Sequence, residues 1–359
     1  MKTMGMFDDM LRQGESLFKD AVALDYDYIP KIVPYRETQQ RFVAEAIKPL
    51  FSQRNGKNML IHGPPGIGKT VAVRHLLKEL EEKTDEIIPI YVNCWQKNTT
   101  FKILMEVCDQ LGYKFTHNKK TDDLFKIIEE YLNKDSVVFV FDEVDKLEDE
   151  DFLYMILEKI YRKTILLITN YQEWLVNLDE RIRSRLTPEL LEFKKYNGNE
   201  IKGILKQRLS YAFVDGALQD DAFDKIAKKT IEMSDIRQGL YMLKEAGNIA
   251  ETKSSKSISL EHATGAIKKL EEFTIKKTDD LETEERVILN IVKSNPGKKI
   301  GELFETYQTN GGQGVYKTFQ RKIKKLADNN FLHVKKVTGG KDGTTTIVNT
   351  PQSTKLTDF

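Results

Sequence analysis

The stretch Gly63-Pro-Pro-Gly-Ile-Gly-Lys-Thr70 decides the fold of this chain, because it fits the pattern GxxxxGK[ST]. Residues 58–62 (NMLIH) directly before it are typical of a strand, and residues 71–80 after it are typical of a helix. Glycines let backbone N–H groups turn inward around phosphates, and the helix dipole adds its positive end. The alternative, a chance Gly-rich turn, does not account for strand, loop, helix and a complete Gly-Lys-Thr together. The stretch therefore predicts a phosphate-binding loop in an α/β domain.

Individual residues of this loop have distinct predicted roles. Lys69 is expected to reach the β- and γ-phosphates of a nucleotide, and the Thr70 hydroxyl is expected to bind Mg²⁺. Nucleotide contacts are also expected from the remaining loop residues Gly63, Pro64, Pro65, Gly66, Ile67 and Gly68, and from Val71 at the start of the helix.

An acidic pair follows a second apolar strand. Residues 137–141 (VVFVF) run into Asp142 and Glu143, and the end of a buried parallel strand is where open α/β sheets bind ligands. Asp142 is predicted to hold the magnesium ion, and Glu143 to orient and deprotonate the attacking water. We interpret Asp145 and Lys146 as surface residues.

Asn170 follows a further apolar strand, residues 164–169 (TILLIT). An amide at this point either forms a turn or holds the attacking water against the γ-phosphate. Ile87–Asn93 reads as another buried strand, and an apolar stripe at helical spacing lies between the strands, at Leu124, Ile127, Ile128, Tyr131 and Leu132. Residues 1–195 therefore predict a parallel sheet flanked by helices, while helical periodicity alone continues from Asn199 to about Thr274.

Overall charge hides two unlike parts of the chain. The 359 residues hold 56 Lys+Arg and 55 Asp+Glu, yet residues 281–359 alone hold 13 and 8, a net charge of +5, which leaves −4 for the rest. Cys94 and Cys108 lack metal-ligand spacing and cannot build a disulfide framework, so we expect a reducing cytoplasm. The apolar runs are too short to span a membrane, and the N-terminus does not read as a secretion signal.

The basic tail predicts a helix followed by a hairpin. Tyr316, Phe319, Ile323 and Leu326 recur at helical spacing and are expected in the core. Residues 331–337 and 344–348 flank a Gly-rich turn and predict a β-hairpin. The opposite helix face carries the cations Lys317, Arg321, Lys322, Lys324 and Lys325.

This basic face has two interpretations, a solvated surface or a DNA contact. The charge of the tail and the hairpin lysines favour DNA. The candidate DNA-binding residues are Lys317, Thr318, Gln320, Arg321, Lys324, Lys335 and Lys341. Lysines are expected on phosphates, whereas Arg321, Gln320 and Thr318 could contact base edges.

Taken together, these motifs resemble AAA+ ATPases, and more narrowly the archaeal initiators related to origin recognition complex and cell-division-control proteins. Asp27-Tyr-Ile-Pro30 and Pro34-Tyr-Arg-Glu37 resemble the family segment that lines the adenine pocket. The resemblance implies nucleotide contacts from Ile29, Pro30, Tyr35 and Arg36, although the family usually has His where this chain has Tyr35. Tyr91-Val-Asn-Cys94 is similar to the family segment after the second strand.

Three further segments resemble family motifs. Asn170 falls on the sensor-one position. Residues 178–186 resemble the arginine-finger segment, in which Arg181 or Arg185 would reach a neighbouring subunit's nucleotide, and a basic helix end is the alternative. Residues 234–239 resemble the sensor-two motif, which implies that Arg237 contacts the γ-phosphate, with Ser234 in place of glycine and expected to cap the helix.

The resemblance implies a P-loop AAA+ core (1–195), an all-α lid (196–278) and a C-terminal winged-helix domain (279–359). It further implies an ATP-dependent replication initiator that binds ATP or ADP with Mg²⁺ and grips origin duplex DNA. Implied partners are other initiator subunits supplying arginine in trans and an MCM helicase, in the cytoplasm at the nucleoid. Two alternatives stay open, a clamp-loader-like subunit and a DNA-binding regulator that holds nucleotide with negligible turnover.

Overall fold

The computed structural model describes residues 16–279, 283–312, 314–328, 331–337 and 345–349. The chain divides into two compact units, 1–267 and 268–359. This division does not mark the predicted limit at 195/196, and it lies eleven residues before the predicted limit at 278/279. The three-domain limits therefore stay a prediction.

A five-stranded parallel sheet forms the centre of the first unit, in the order β2-β3-β4-β1-β5. The first four strands lie within one residue of their predicted bounds. β5 was not predicted, because it is short and exposes three of its four residues at the edge of the sheet. The strands are β1 Met59–His62, β2 Ile87–Asn93, β3 Ser136–Asp142, β4 Lys163–Thr169 and β5 Glu189–Glu192.

Successive side chains of the strands point to opposite faces of the sheet, and they contribute to two apolar cores, one on each face. Leu60 packs with one core, while Met59 and Ile61 pack with the other. Every residue of β3 is buried, as expected for a strand covered on both faces. The helices of this region are α1 Glu37–Ile47, α2 Lys69–Lys83, α3 Thr100–Gln110, α4 Thr121–Leu132, α5 Asp151–Lys159, α6 Trp174–Asn177 and α7 Glu180–Leu186.

Helices follow the sheet, as predicted. Asn197 and Glu200 form a capping box that starts the first of them. Apart from isolated bridges, the described residues 198–279 form no strand. The helices are α8 Gly198–Ala212, α9 Asp220–Met233, α10 Ile236–Thr252 and α11 Leu260–Asp279.

The second unit combines helices with a small antiparallel sheet of order β6-β8-β7. This order of elements is typical of a winged helix, in which the last two strands form the hairpin. None of the helices in the described ranges has the length and apolar character needed to cross a membrane. The elements are α12 Thr283–Ser294, β6 Lys298–Lys299, α13 Ile300–Thr309, α14 Tyr316–Asp328, β7 His333–Val337 and β8 Thr345–Asn349.

The predicted apolar face of α14 is buried except at its first residue. Phe319, Ile323 and Leu326 lie in the core of the second unit. Tyr316 is 39% exposed, so its assignment to the core was wrong. It begins the helix at the rim of the core and contacts Phe304 edge-on, with ring centroids 5.1 Å apart.

Candidate nucleotide site and nucleic-acid interface

A cavity of about 450 Å³ lies in the first unit. The phosphate loop, the ends of β3 and β4, the segment before α1 and helices α8 and α10 all contribute to its wall. The structure therefore brings together residues that are far apart in sequence. Predicted site residues in this wall are Ile29, Pro30, Pro65, Gly66, Ile67, Gly68, Lys69, Thr70, Val71, Asp142, Glu143, Asn170 and Arg237.

The phosphate loop has a backbone that requires glycine. Gly66 has φ +75°, and a Cβ built there would lie 2.3 Å from Asp235 Oδ1. The first backbone bond of α2 runs from Ala72 N to Gly68 O, so the three preceding N–H groups at the helix start have no acceptor within the helix. These donors and the helix dipole make the loop suited to an anion.

Lys69 is held at the loop by three oxygen acceptors. Its Nζ donates to Gly63 O at 2.6 Å, to Pro64 O at 2.8 Å and to Asn170 Oδ1 at 2.9 Å. Burial lowers the pKa of Lys69 to about 8, against the opposing effect of the Asp142 carboxylate. Lys69 and Asn170, predicted separately, therefore contact each other directly.

Asp142 lies at the end of β3 and is only 2% exposed. Its Oδ2 accepts hydrogen bonds from Thr70 Oγ1 at 2.6 Å and from Tyr91 OH at 2.9 Å, and its Oδ1 accepts one from Glu143 N. Burial raises the pKa of Asp142, while these hydrogen bonds act in the opposite direction. A hydroxyl and a carboxylate side by side are hard oxygen ligands, so this donor set fits Mg²⁺.

Glu143 lies beside Asp142, half-buried in the cavity wall. Burial, followed by the charges of Asp142 and Asp145, raises its pKa above the ordinary value of a glutamate. A carboxylate with a raised pKa is a better acceptor for a proton from water. The place of Glu143 in the cavity wall and the direction of its pKa shift are thus compatible with its predicted role as a general base.

Asp145 was expected at the surface, but this prediction was wrong, because its side chain is only 9% exposed. The turn Val144–Lys146 follows β3 and places the Asp145 carboxylate against β4, where Thr169 Oγ1 donates to it at 3.2 Å. Lys146 is exposed, and its Nζ lies 3.3 Å from Asp145 Oδ2.

Arg237 enters the cavity from the start of α10. Its Nη2 lies 3.0 Å from Asp235 Oδ2, and Asp235 caps the helix by accepting the Arg237 N–H. The expectation that Ser234 caps this helix was therefore wrong. Ser234 instead ends α9 in the left-handed conformation, with φ 53°, which explains why glycine suits this position.

Tyr35 and Arg36 do not line the cavity, in contrast to the implied nucleotide contacts. Arg36 is buried beneath the loop, where its Nη2 donates to Ile67 O at 3.0 Å and to Lys194 O at 2.6 Å. Tyr35 has φ 64°, and this turn directs its ring toward Gly203 of α8. Arg36 therefore supports the loop from below.

The predicted finger arginines lie outside the cavity wall. The Arg181 side chain is 73% exposed and pairs with Asp179, with Nε and Oδ1 3.1 Å apart. Arg185 Nε lies 2.5 Å from Glu158 Oε1, and Arg183 Nη1 donates to Val176 O. Arginines that serve a neighbouring subunit would be expected on the outside.

Sequence reasoning missed several residues of the wall. Tyr91 carried a family resemblance but no assigned role. Arg74 stands one helical turn after Thr70, a spacing that places both on one face of α2 and could have indicated it. The residues contributed by α8 follow no motif that we identified, and they are Ile204, Gln207 and Arg208.

In the second unit, α14 exposes Lys317, Gln320, Arg321 and Lys324, whereas Thr318 is partly buried. Lys322 and Lys325 form ion pairs with Glu284 and Glu285 of α12, at 2.7 Å between Lys325 Nζ and Glu285 Oε1. Lys335 lies on β7, and Lys341 lies outside the described residues. The three basic residues of α14 that were predicted to contact DNA, Lys317, Arg321 and Lys324, are therefore all exposed.

The fold and site together define an AAA+ ATPase. A family model for an AAA domain matches residues 53–173, and one for a Cdc6 AAA+ ATPase-type lid domain matches residues 202–268. These matches confirm the parallel core and the helical lid predicted from the sequence.

More narrowly, the chain belongs to the ORC1-type DNA replication protein family, which confirms the resemblance found in its motifs. It is 30% identical over 334 residues to ORC1-type DNA replication protein 1 of Sulfolobus acidocaldarius, covering 87% of this chain and 83% of the relative. Its identity to the corresponding protein of Sulfurisphaera tokodaii is 32% over 263 residues, covering 70% and 66%.

A solved structure of the Aeropyrum pernix ORC1 protein in complex with DNA has the same fold. The TM-score is 0.71 at 24% sequence identity, and the match covers 95% of both chains. The structure of Cdc6p from Pyrobaculum aerophilum matches with a TM-score of 0.65 at 20% identity, covering 93% of this chain and 95% of that one.

Proposed function

We propose that this chain is an ATP-dependent replication initiator that binds origin duplex DNA and helps to recruit or load an MCM-type helicase. The observation that carries the proposal is the convergence of the loop, Asp142, Glu143, Asn170 and Arg237 around one cavity. Membership of the ORC1-type family and the DNA-bound relative support it.

ATP is the nucleotide proposed for the cavity, with its phosphates against the loop and Lys69. Thr70 and Asp142 would hold Mg²⁺, which when bound neutralises charge on the phosphates. Glu143 accepts the proton of a water that Asn170 orients. The water oxygen forms a bond to the γ-phosphorus as the bond to the β–γ bridging oxygen breaks, leaving ADP and inorganic phosphate.

Hydrolysis by an isolated subunit is proposed to be slow and to act as a switch. Arg181 and Arg185 lie on the outer surface, where they can serve another subunit's nucleotide. An arginine supplied in trans accelerates phosphoryl transfer only on assembly. Other initiator subunits are therefore proposed partners, and the DNA partner implies a place at the nucleoid in the cytoplasm.

DNA is proposed to contact α14 and the hairpin. Lys317, Arg321 and Lys324 are exposed cations suited to phosphates, and Gln320 and Thr318 are available for base edges. Lys335 and Lys341 belong to the same proposal. A clamp-loader-like subunit fits less well, because the described second unit contains an antiparallel sheet instead of a helical collar.

A titration of fluorescent duplex by the full chain tests this DNA contact, with anisotropy measured at several salt concentrations, with and without ATP. Replacing Lys317, Arg321 and Lys324 with alanine should weaken binding. The slope of log K against log salt should also fall, by about one for each lost phosphate contact.

A matched variant controls for net charge. Lys78, Lys228 and Lys256 are exposed lysines of the first unit, and their replacement by alanine also removes three charges. This control should keep the salt slope of the wild type. Equal losses in both variants would show that binding follows net charge alone and would contradict a DNA site on α14.

A further inference from the structure

Tyr91 of β2 contacts the predicted magnesium site without belonging to its ligand set. The side chain lines the cavity, and its hydroxyl donates to Asp142 Oδ2 at 2.9 Å. The same oxygen accepts from Thr70 Oγ1, while Asp142 Oδ1 accepts from Glu143 N. Both oxygens of the carboxylate are thus fixed by hydrogen bonds.

Tyr91 is itself held in place by its surroundings. β2 is an edge strand, and Gln110 of α3 satisfies the backbone of Tyr91 on this edge. Gln110 Nε2 donates to Tyr91 O at 2.7 Å, and Tyr91 N donates to Gln110 Oε1 at 3.2 Å. The Arg74 guanidinium lies 5.4 Å from the ring centroid. Gln110 therefore fixes the backbone of Tyr91, and Arg74 covers one face of its ring.

We infer that Tyr91 is a positioning residue that orients the Asp142 carboxylate for Mg²⁺, an inference that rests on the proposed nucleotide function. Thr70 cannot supply this orientation alone, because its hydroxyl is a candidate ligand. The Tyr91 hydroxyl stays available to Asp142 throughout. Partners that orient metal ligands in this way contribute strongly to metal affinity.

The Tyr91→Phe variant tests this role, because it removes the hydroxyl and keeps the ring. A fluorescent ATP analogue is titrated into the full chain at a series of Mg²⁺ concentrations and in EDTA. The Mg²⁺ concentration that half-saturates tight nucleotide binding should rise by about tenfold or more. Nucleotide affinity in EDTA should stay at the wild-type value.

The exposed Tyr161→Phe variant serves as control and should match the wild type in both conditions. Should Tyr91→Phe fail to fold, Gln110→Ala tests the same arrangement, since it removes the bonds that fix the Tyr91 backbone and should raise the Mg²⁺ requirement.

Two results would overturn the inference while leaving the proposed function intact. One is an unchanged Mg²⁺ requirement in the folded variant, and the other is an equal loss of affinity in EDTA, which would indicate damage to the cavity as a whole. If nucleotide binding by the wild-type chain did not depend on Mg²⁺, both the inference about Tyr91 and the proposed Mg²⁺-dependent nucleotide function would be overturned.

Discussion

Glu143 has a backbone conformation that few residues other than glycine adopt. Its φ of 56° is left-handed, a conformation that costs on the order of 1 kcal/mol for a residue with a Cβ. The turn after β3 maintains it, and the carboxylate consequently lies in the cavity wall beside Asp142. The raised pKa of Glu143 and its place in the cavity wall fit the role of a general base.

Glu143→Gln should therefore separate binding from turnover. Glutamine has nearly the same shape but cannot accept a proton from water, so ATP affinity should stay near the wild-type value. Phosphate release should fall by about 100-fold or more. Binding is measured with a fluorescent analogue, and turnover by phosphate release. The exposed Glu173→Gln variant should change neither, and retained turnover in Glu143→Gln would exclude this residue as the base.

The predicted site residues that line the cavity share a local signature. Lys69 and Thr70 have fixed spacing in the loop, and Asp142 and Asn170 end predicted strands, so each could be placed from its neighbours in sequence. Asp145 could not, because its burial depends on contact with Thr169, 24 residues away along the chain. Such contacts leave no periodic pattern in the sequence.

Among the elements, the segment before α1 packs against α8 and α10 of the helical region. Phe18 stacks on Phe213, with ring centroids 4.7 Å apart, and Lys19 N donates to Ala212 O. Both rings lie over Gly247 in the middle of α10. Glycine is unfavourable within a helix, so close packing is the reason for its presence here.

Gly247→Ala should destabilise the chain despite the helix preference of alanine. The added Cβ would lie 2.4 Å from Phe18 Cζ and 2.8 Å from Phe213 Cε1. We expect the free energy of unfolding, measured in urea, to fall by about 1–3 kcal/mol. In a Phe18→Ala background the same substitution should cost much less. Gly301→Ala in α13 meets no atom within 4 Å and serves as control. An unchanged or increased stability of Gly247→Ala would contradict this account of the packing.

The spacing of charges along α14 predicted a basic face, but it did not predict which of its cations form ion pairs with α12. Lys322 and Lys325 are neighbours of Arg321 and Lys324 in sequence, yet they pair with glutamates of α12. The helical period alone cannot distinguish a lysine near a partner helix from one in solvent. Only the packing of α12 against α14 makes that distinction.

At the scale of the whole molecule, the parallel sheet followed from alternating strands and helices, whereas the short edge strand β5 did not. β5 pairs with β1 and is followed by Phe193, which is buried beside the loop, and by Lys194, whose carbonyl accepts from Arg36. The segment that connects the sheet to the helical region thus contacts Arg36, the residue that supports the phosphate loop. This connection depends on β5, which is only four residues long and too short to give a recognisable strand pattern in the sequence.

Assembly should bring an additional arginine, the finger of a neighbouring subunit, to each nucleotide cavity. Arg185 forms an ion pair with Glu158 of α5, whereas Arg181 forms one with nearby Asp179 and is more exposed, so Arg181 is the expected finger. Arg181→Ala and Lys69→Ala should each be nearly inactive alone. Mixing them should restore phosphate release, because the Lys69→Ala subunit offers its arginine to an intact site. Arg185→Ala should lose less activity. No recovery on mixing, across a range of protein concentrations, would contradict an arginine acting in trans.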